Sequence, residues 1–151
     1  MKQRITVYTV VNDECREVTF YTEEAKTIGI GGINLSVSDH ISIVSLTKNA
    51  VILLYDSPRF RHAPGYVPDY DSNCVDAYDY EGNHLWNIAQ IIGNVGSNIC
   101  CGHVCSTKFL MGDAKDRHIE GHELFVCWDS NDTRYLIDLD EKRVIHKTMT
   151  R

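Results

Sequence analysis

The hydrophobic positions of this chain fall in short runs that are rich in Val, Ile, Tyr and Phe. Clusters of Asn, Asp, Gly and Ser separate these runs, which is typical of β-strands connected by turns. The predicted strands cover residues 5–11, 17–21, 41–46, 51–55, 74–80, 83–86, 123–128, 134–139 and 143–146. The pattern therefore predicts an all-β fold of antiparallel meanders with at most short helices.

Individual segments of the pattern predict which strand is central, where loops and helical turns lie, and which residues form the core. Residues 51–55 are apolar without interruption, which indicates a central strand that is buried on both faces. The glycines of residues 27–33 indicate a loop or a bulged strand, and residues 87–92 predict a short helical turn that ends at Gly93. The weakest pattern lies in residues 107–122. The predicted core consists of Val7, Ile43, Val51, Leu53, Tyr55, Leu85, Trp86, Phe125, Cys127, Leu136 and Val144.

Two parts of the chain repeat one pattern of strand, turn, strand, short acidic turn and strand. The matched stretches are 51–57 with 123–130, and 77–86 with 136–145. The first pair shares an ending of an aromatic residue, Asp and Ser, and the second pair aligns without a gap. We therefore predict a single β-rich domain, residues 1–151, with an internal repeat of approximately residues 41–88 and 107–148.

The second matched stretch resembles a known family. Residues 78–86 are similar to the turn between the last two strands of a blade in quinoprotein-like and related β-propellers. In those families an Asp begins the turn and a Gly supplies a positive φ, as Asp79 and Gly82 would here. The second copy has Glu141 in place of the Gly and Ile145 in place of the aromatic residue that follows. Because propellers use about 4–8 blades, the resemblance implies two blade-like units of three or four strands and not the function of a propeller.

Charge narrows the classes of partner. The chain has 15 Lys and Arg against 21 Asp and Glu, a net charge of −6 with neutral His. An acidic chain without a basic stripe disfavours nucleic acid. The acidity either favours a basic protein as partner or serves only solubility. No apolar run approaches the roughly 20 residues that cross a bilayer, so no membrane partner is expected. The apolar start of the chain is short and interrupted by Thr6 and Thr9, which predicts a first strand in a cytoplasmic protein and not a secretory signal.

Four residues are the strongest candidates for metal or thiol chemistry: Cys100, Cys101, His103 and Cys105. Thiolate and imidazole groups are natural zinc ligands, and a turn containing Gly102 could fold them around one ion. A Cys-x₂-Cys spacing is absent, however, and adjacent cysteines rarely share a metal. The alternatives are buried thiols beside a turn, a cysteine nucleophile with His103 as its base, or a disulfide in an exported or redox-sensing protein. No metal or cofactor is therefore assigned.

A pair of histidines, His118 and His122, has the spacing of zinc ligands on one helix face. The peptidase motif needs Glu directly after the first His, whereas Ile119 stands there, and Gly121 argues against a helix. We expect an exposed polar loop. Either histidine could supply a fourth ligand to the cysteine cluster.

The long loop 56–73 contains all three prolines and is the predicted partner-binding surface. The residues assigned to it are Arg59, Phe60, Arg61, Tyr66 and Tyr70. Arg and aromatic side chains dominate binding hot spots, and proline lowers the entropy cost of ordering a loop. The alternative is that the loop covers one end of the sheet with its aromatic side chains turned inward.

These observations favour a non-catalytic protein-binding module of the inhibitor or immunity type, because no convincing set of catalytic residues is present. One alternative is a zinc-binding or thiol-redox protein that uses the cysteine cluster. Another is an enzyme that acts on a small molecule at the end of the sheet.

Overall fold

The computed structural model describes residues 3–23, 26–30, 33–37, 40–56 and 64–149, and within them it contains twelve strands and two short helices. The strands are β1 (Gln3–Val11), β2 (Glu14–Thr22), β3 (Thr27–Ile30), β4 (Ile33–Ser36), β5 (Ile41–Leu46), β6 (Val51–Tyr55), β7 (Val75–Tyr78), β8 (His84–Asn87), β9 (Ile99–Cys105), β10 (Leu124–Asp129), β11 (Thr133–Asp138) and β12 (Arg143–Met149). The helices are α1 (Ala89–Ile92) and α2 (Gly112–Arg117). The prediction of an all-β fold with only short helices is confirmed.

The strands form a six-stranded sheet in the order β2-β1-β5-β6-β7-β8, a four-stranded sheet in the order β12-β11-β10-β9, and the two-stranded hairpin β3-β4. Strands β5–β8 and strands β9–β12 are therefore two antiparallel meanders of four strands each. One pair departs from the antiparallel expectation, since β1 and β5 are parallel. The long connection from β2 to β5, which includes the β3-β4 hairpin, allows the chain to return in the same direction.

The two sheets share a core. One hydrophobic cluster contains side chains from both meanders, among them Ile52 and Trp86 from the first and Phe125 and Ile137 from the second. The opposite face of the six-stranded sheet packs under the β3-β4 hairpin, and the opposite face of the four-stranded sheet packs under α2. Every residue of β6 is buried, as its uninterrupted apolar sequence predicts.

The predicted core is confirmed with one exception. Val7, Ile43 and Val144 are partly buried and pack against the clusters, and the other predicted side chains are buried. Leu85 is instead exposed. The register between β7 and β8 shifts so that Ala77 pairs with Trp86 and Tyr78 with His84, and Leu85 is the extra residue of this bulge.

The connecting segments follow the predictions in part. Helix α1 ends at Gly93, whose φ of 76° lies in the left-handed region. Residues 27–33 fall largely in the hairpin strands β3 and β4. The second meander begins with β9, a strand that the sequence does not predict, so it starts before residue 107. Within the described ranges, no helix is long and apolar enough to span a bilayer.

Candidate functional site

The structure describes residues 64–73 of the predicted partner-binding loop, together with Asp56. Arg59, Phe60 and Arg61 lie outside the described residues. Tyr66 is exposed, with 40% of its surface accessible, and Tyr70 is partly buried. The prediction that these residues bind a partner stays a prediction.

A buried asparagine organises the second half of this loop. The Asn73 side chain accepts a hydrogen bond from the backbone N–H of Val67 at 2.6 Å, and it donates to the carbonyl oxygens of Val67 and Tyr70. Asn87 in turn donates to the Asn73 carbonyl oxygen at 2.9 Å. The segment 64–73 is therefore fixed to the first meander by buried amides.

The same end of the sheet holds a buried carboxylate, Asp76. It lies 2.7 Å from His84 Nε2, accepts a hydrogen bond from Asn87 Nδ2 at 3.1 Å, and is capped by the backbone N–H of Gly65 at 3.2 Å. Burial, reinforced by the Asp76 charge, raises the pKa of the neighbouring Tyr78 to about 12. The hydrogen bonds to Asp76 link the loop, through Gly65, to β7 and β8.

The cysteine cluster lies along strand β9 and not in a turn. An extended strand spaces residues by about 3.3 Å and turns alternate side chains to opposite faces, so Cys101, His103 and Cys105 follow one face. Among the described residues, these side chains do not form a set of three ligand atoms within 4.8 Å of one another. His103 instead stacks on Tyr8, with ring centroids 4.3 Å apart. Zinc binding by this cluster stays a prediction, and it would require the strand to change its conformation.

The thiols of β9 also lack the usual signs of activation. All six cysteines of the chain are free. Burial raises the pKa of Cys101, and it raises the pKa of Cys105 to about 12. Because the thiolate is the nucleophile, these raised pKa values disfavour Cys101 and Cys105 as nucleophiles.

A cleft of about 720 Å³ opens where the ends of the two sheets meet. Its apolar wall includes Val10, Leu46, Val104 and Leu124, contributed by β1, β5, β9 and β10. Polar side chains from the turns lie on its other side, including His118, His122 and Glu123. A volume of this size fits a small molecule, and the hypothesis of an enzyme acting at the end of the sheet stays open.

One histidine of the cleft is paired with a buried acid. His122 Nδ1 lies 2.7 Å from Asp138 Oδ2, and Asp138 is fully buried. The hydrogen bond to Asp138, followed by the charges of Asp138, Asp140 and Glu141, raises the pKa of His122. The adjacent Glu123 accepts the Lys48 backbone N–H, and burial raises the pKa of Glu123. As expected, residues 118–122 form a loop and not a helix.

The open edge of the six-stranded sheet is strand β2, which is the longest edge strand among the described residues. Strand β2 pairs only with β1 among the described strands, and eight of its nine residues are exposed. Val18 and Tyr21 are 64% and 66% accessible, and Phe20 is 41% accessible. This strand therefore presents apolar side chains and backbone groups together.

The orientation of the β2 amides follows from its turn. Only Asn12 and Asp13 separate β1 from β2, and both have positive φ. In a two-residue hairpin the flanking residues form a hydrogen-bonded pair, and alternate pairs follow along the ladder. The amides of Arg16, Val18 and Phe20 therefore face β1. The amides of Glu17, Thr19 and Tyr21 face the open side.

The other sheet edges are shorter or irregular. Strand β8 has four residues, and the pairings of β8, β9 and β12 with their neighbours all contain a register shift. The β1-β2 pairing runs from Gln3–Thr22 to Val11–Glu14 without a shift. Short or bulged edges resist strand addition, whereas a long regular edge permits it. The sequence predicts β2 as a strand, but no local signal identifies it as an edge.

Comparison of the chain with protein-family models, with curated proteins and with solved structures gives no match.

Proposed function

We propose that this protein is a non-catalytic protein-binding module, of the inhibitor or immunity type, and that it receives an extended segment of a basic partner as an additional strand along β2. The observation that carries the proposal is the nine-residue, bulge-free edge with exposed Val18, Phe20 and Tyr21. In strand addition the backbone supplies affinity and alternate side chains supply specificity.

Charge supports a basic partner over a second copy of this chain. Two such chains would each bring a net charge of −6, and their association would be opposed by repulsion. Strand β2 carries Glu14, Arg16 and Glu17, and Glu14 is paired with Lys108, so the attraction rests on the net charge of the chain and not on this edge. A basic segment would be attracted to the acidic chain, and we expect its association rate to fall as ionic strength rises.

The test removes one outward amide and leaves the β1-β2 ladder intact. Thr19→Pro deletes an N–H that faces the open side, where proline is tolerated on an edge strand. Its control is Thr19→Ala, since both variants lose the 3.3 Å contact with the Thr6 hydroxyl but only the proline loses the amide. Urea denaturation checks that both variants stay folded.

Binding is read out by site-specific photo-crosslinking in the host cell. A benzophenone side chain replaces Phe20 on the β2 edge or, as a control, the exposed Leu85 on the β8 edge. We expect one discrete adduct from position 20, none from position 85, survival of the adduct in Thr19→Ala and its loss in Thr19→Pro. An adduct that persists in Thr19→Pro, or one with twice the mass of this chain, contradicts the proposal.

A further inference from the structure

We propose that His122, Asp138 and Asp140 form a binding site for a divalent transition-metal ion beside the cleft between the two sheets. The nitrogen and oxygen ligand atoms of these three residues lie within 4.8 Å of one another. No other set of three such ligand atoms was found in the described part of the chain. This inference is independent of the proposed strand addition at β2.

The distances suit a common ion. His122 Nδ1 and Asp138 Oδ2 are 2.7 Å apart. At metal–ligand distances of about 2.0–2.2 Å, two neighbouring ligand atoms of a tetrahedral ion lie about 3.4 Å apart. The two atoms that now share a hydrogen bond would therefore have to separate by about 0.7 Å to bind one ion. Asp140 is the exposed member of the set.

Backbone amides hold both carboxylates in place. The Glu141 N–H donates to Asp138 Oδ1 at 2.9 Å, and the Glu123 N–H donates to Asp140 Oδ2 at 2.8 Å. Asp138 is therefore held through Oδ1 while its Oδ2 faces His122, and Asp140 accepts one backbone hydrogen bond through Oδ2. Such supporting hydrogen bonds orient metal ligands in proteins.

The surrounding charge favours a cation. Two carboxylates belong to the set itself, and Glu123 and Glu141, whose N–H groups bind those carboxylates, are themselves acidic residues. The imidazole decides the class of ion, because imidazole ligands suit zinc, nickel and related metals, whereas calcium and magnesium prefer oxygen ligands throughout. Three protein ligands leave a further coordination position for solvent or a small ligand.

The first meander supplies a natural contrast. Aligning the repeat places Asn49, Asp79 and Glu81 where the second copy has His122, Asp138 and Asp140. Asp79 also gives both of its carboxylate oxygens to hydrogen bonds with Asn83. The first copy therefore lacks both the imidazole and a second oxygen that is directed away from the turn.

The test is isothermal titration calorimetry of the reduced protein with zinc chloride, followed by nickel, calcium and magnesium chlorides. We expect one equivalent of zinc or nickel to bind, and no comparable binding of calcium or magnesium. Asp140→Asn should weaken zinc binding at least about 10-fold. The matched control Glu81→Gln, at the equivalent exposed position of the first copy, should bind zinc as the wild type does.

One double variant and one NMR measurement distinguish this site from the cysteine cluster. Cys100→Ser/Cys101→Ser should keep full zinc affinity, and nickel should broaden the NMR signals of the His122 ring before those of His103. Zinc binding that survives in Asp140→Asn and is lost in the double cysteine variant overturns the proposal. The absence of zinc and nickel binding to the wild type overturns it as well.

Discussion

The two meanders share one strand order, but the turns between their last two strands are built differently. Asp79 begins the first turn, and its Oδ1 accepts the backbone N–H groups of Glu81 and Asn83 at 2.9 Å each. Asp138 begins the second turn, but it is fully buried and faces His122 with its other oxygen. The same residue at the same repeat position thus stabilises a turn in one copy, and links a turn to the cleft in the other.

The two meanders also differ in the edges of the sheets to which they belong. The first is extended by the β1-β2 hairpin, which gives the six-stranded sheet its long regular edge. The second ends in β9 and β12, whose pairings contain register shifts. One repeated scaffold therefore carries two distinct surfaces, an open edge beside one copy and a histidine–carboxylate cluster in the other.

The largest effect is expected in the core that both meanders share. Ile52 and Phe125 lie at equivalent positions of the repeat and belong to the same buried cluster. Ile52→Ala should lower the free energy of unfolding by about 2–5 kcal/mol and Phe125→Ala by about 3–5 kcal/mol. Urea denaturation should show one cooperative transition in each case. Two transitions in either variant would mean that the meanders unfold separately.

A smaller effect should follow from Gly65→Ala in the loop that only the first meander has. A Cβ at this position would lie 2.0 Å from Asp76 Oδ1 and 2.2 Å from His84 Nε2. We expect a loss of about 1–3 kcal/mol from overpacking, measured by thermal and urea unfolding. Gly29→Ala, where nothing lies within 4 Å, is the control and should cost far less. Equal losses at the two positions would contradict this account of the loop.

The two turns themselves should respond differently to substitution. Gly82 has a φ of +88° in the first turn, and Lys142 has a φ of 55° in the second. The left-handed position that glycine takes in the first turn is thus occupied by Lys142, and not by Glu141, in the second. Gly82→Ala should cost about 1 kcal/mol because a Cβ disfavours this conformation. Lys142→Gly should leave the free energy of unfolding unchanged or raise it, and a clear loss would argue against this comparison.

The smallest effect concerns acid stability. Hydrogen bonds, led by the Asn83 backbone N–H, lower the pKa of Asp79. Burial alone would raise the pKa of Asp129, but the N–H of Thr133 and the hydroxyl of Tyr135 outweigh it and lower that pKa. Both carboxylates therefore stabilise the fold above the unfolded pKa of about 4. This contribution is lost as pH falls through the lowered folded values.

Urea denaturation between about pH 2 and 6 measures this contribution, because this range spans the ordinary pKa of a carboxyl group. Asp79→Asn and Asp129→Asn should each flatten the acid limb of the stability curve. A steeper acid limb in either variant would contradict the direction of these shifts.

The fold was more predictable than its surfaces because strand patterning is local and pairing is not. The uninterrupted apolar run of β6 was enough to predict burial on both faces. The same reasoning was wrong for Leu85, which is exposed. Its position is set by a bulge in the pairing with β7, and the sequence of β8 alone does not show that bulge. Strand β9 was missed because Gly and Cys carry little strand signal; its conformation is imposed by β10, where a Cβ on Gly102 would lie 3.0 Å from Phe125.

The candidate sites were harder to predict from the sequence than the strands, because they too depend on strand pairing. Residues 17–21 were predicted as a strand, but their position at an edge is fixed by the pairing of β1 with β5. His122 meets Asp138 only because Leu124 of β10 pairs with Asp138 of β11. No spacing in the sequence marks that contact, although the repeat shows that His122 stands where the first copy has Asn49.

The most direct test of the proposed function is amide hydrogen exchange along β2, in the free protein and in the complex with the partner that crosslinks at position 20. The account predicts that the outward amides of Glu17, Thr19 and Tyr21 exchange rapidly in the free protein and become protected in the complex. The amides that face β1 should be protected in both states. Outward amides that exchange equally fast in both states would contradict strand addition at this edge.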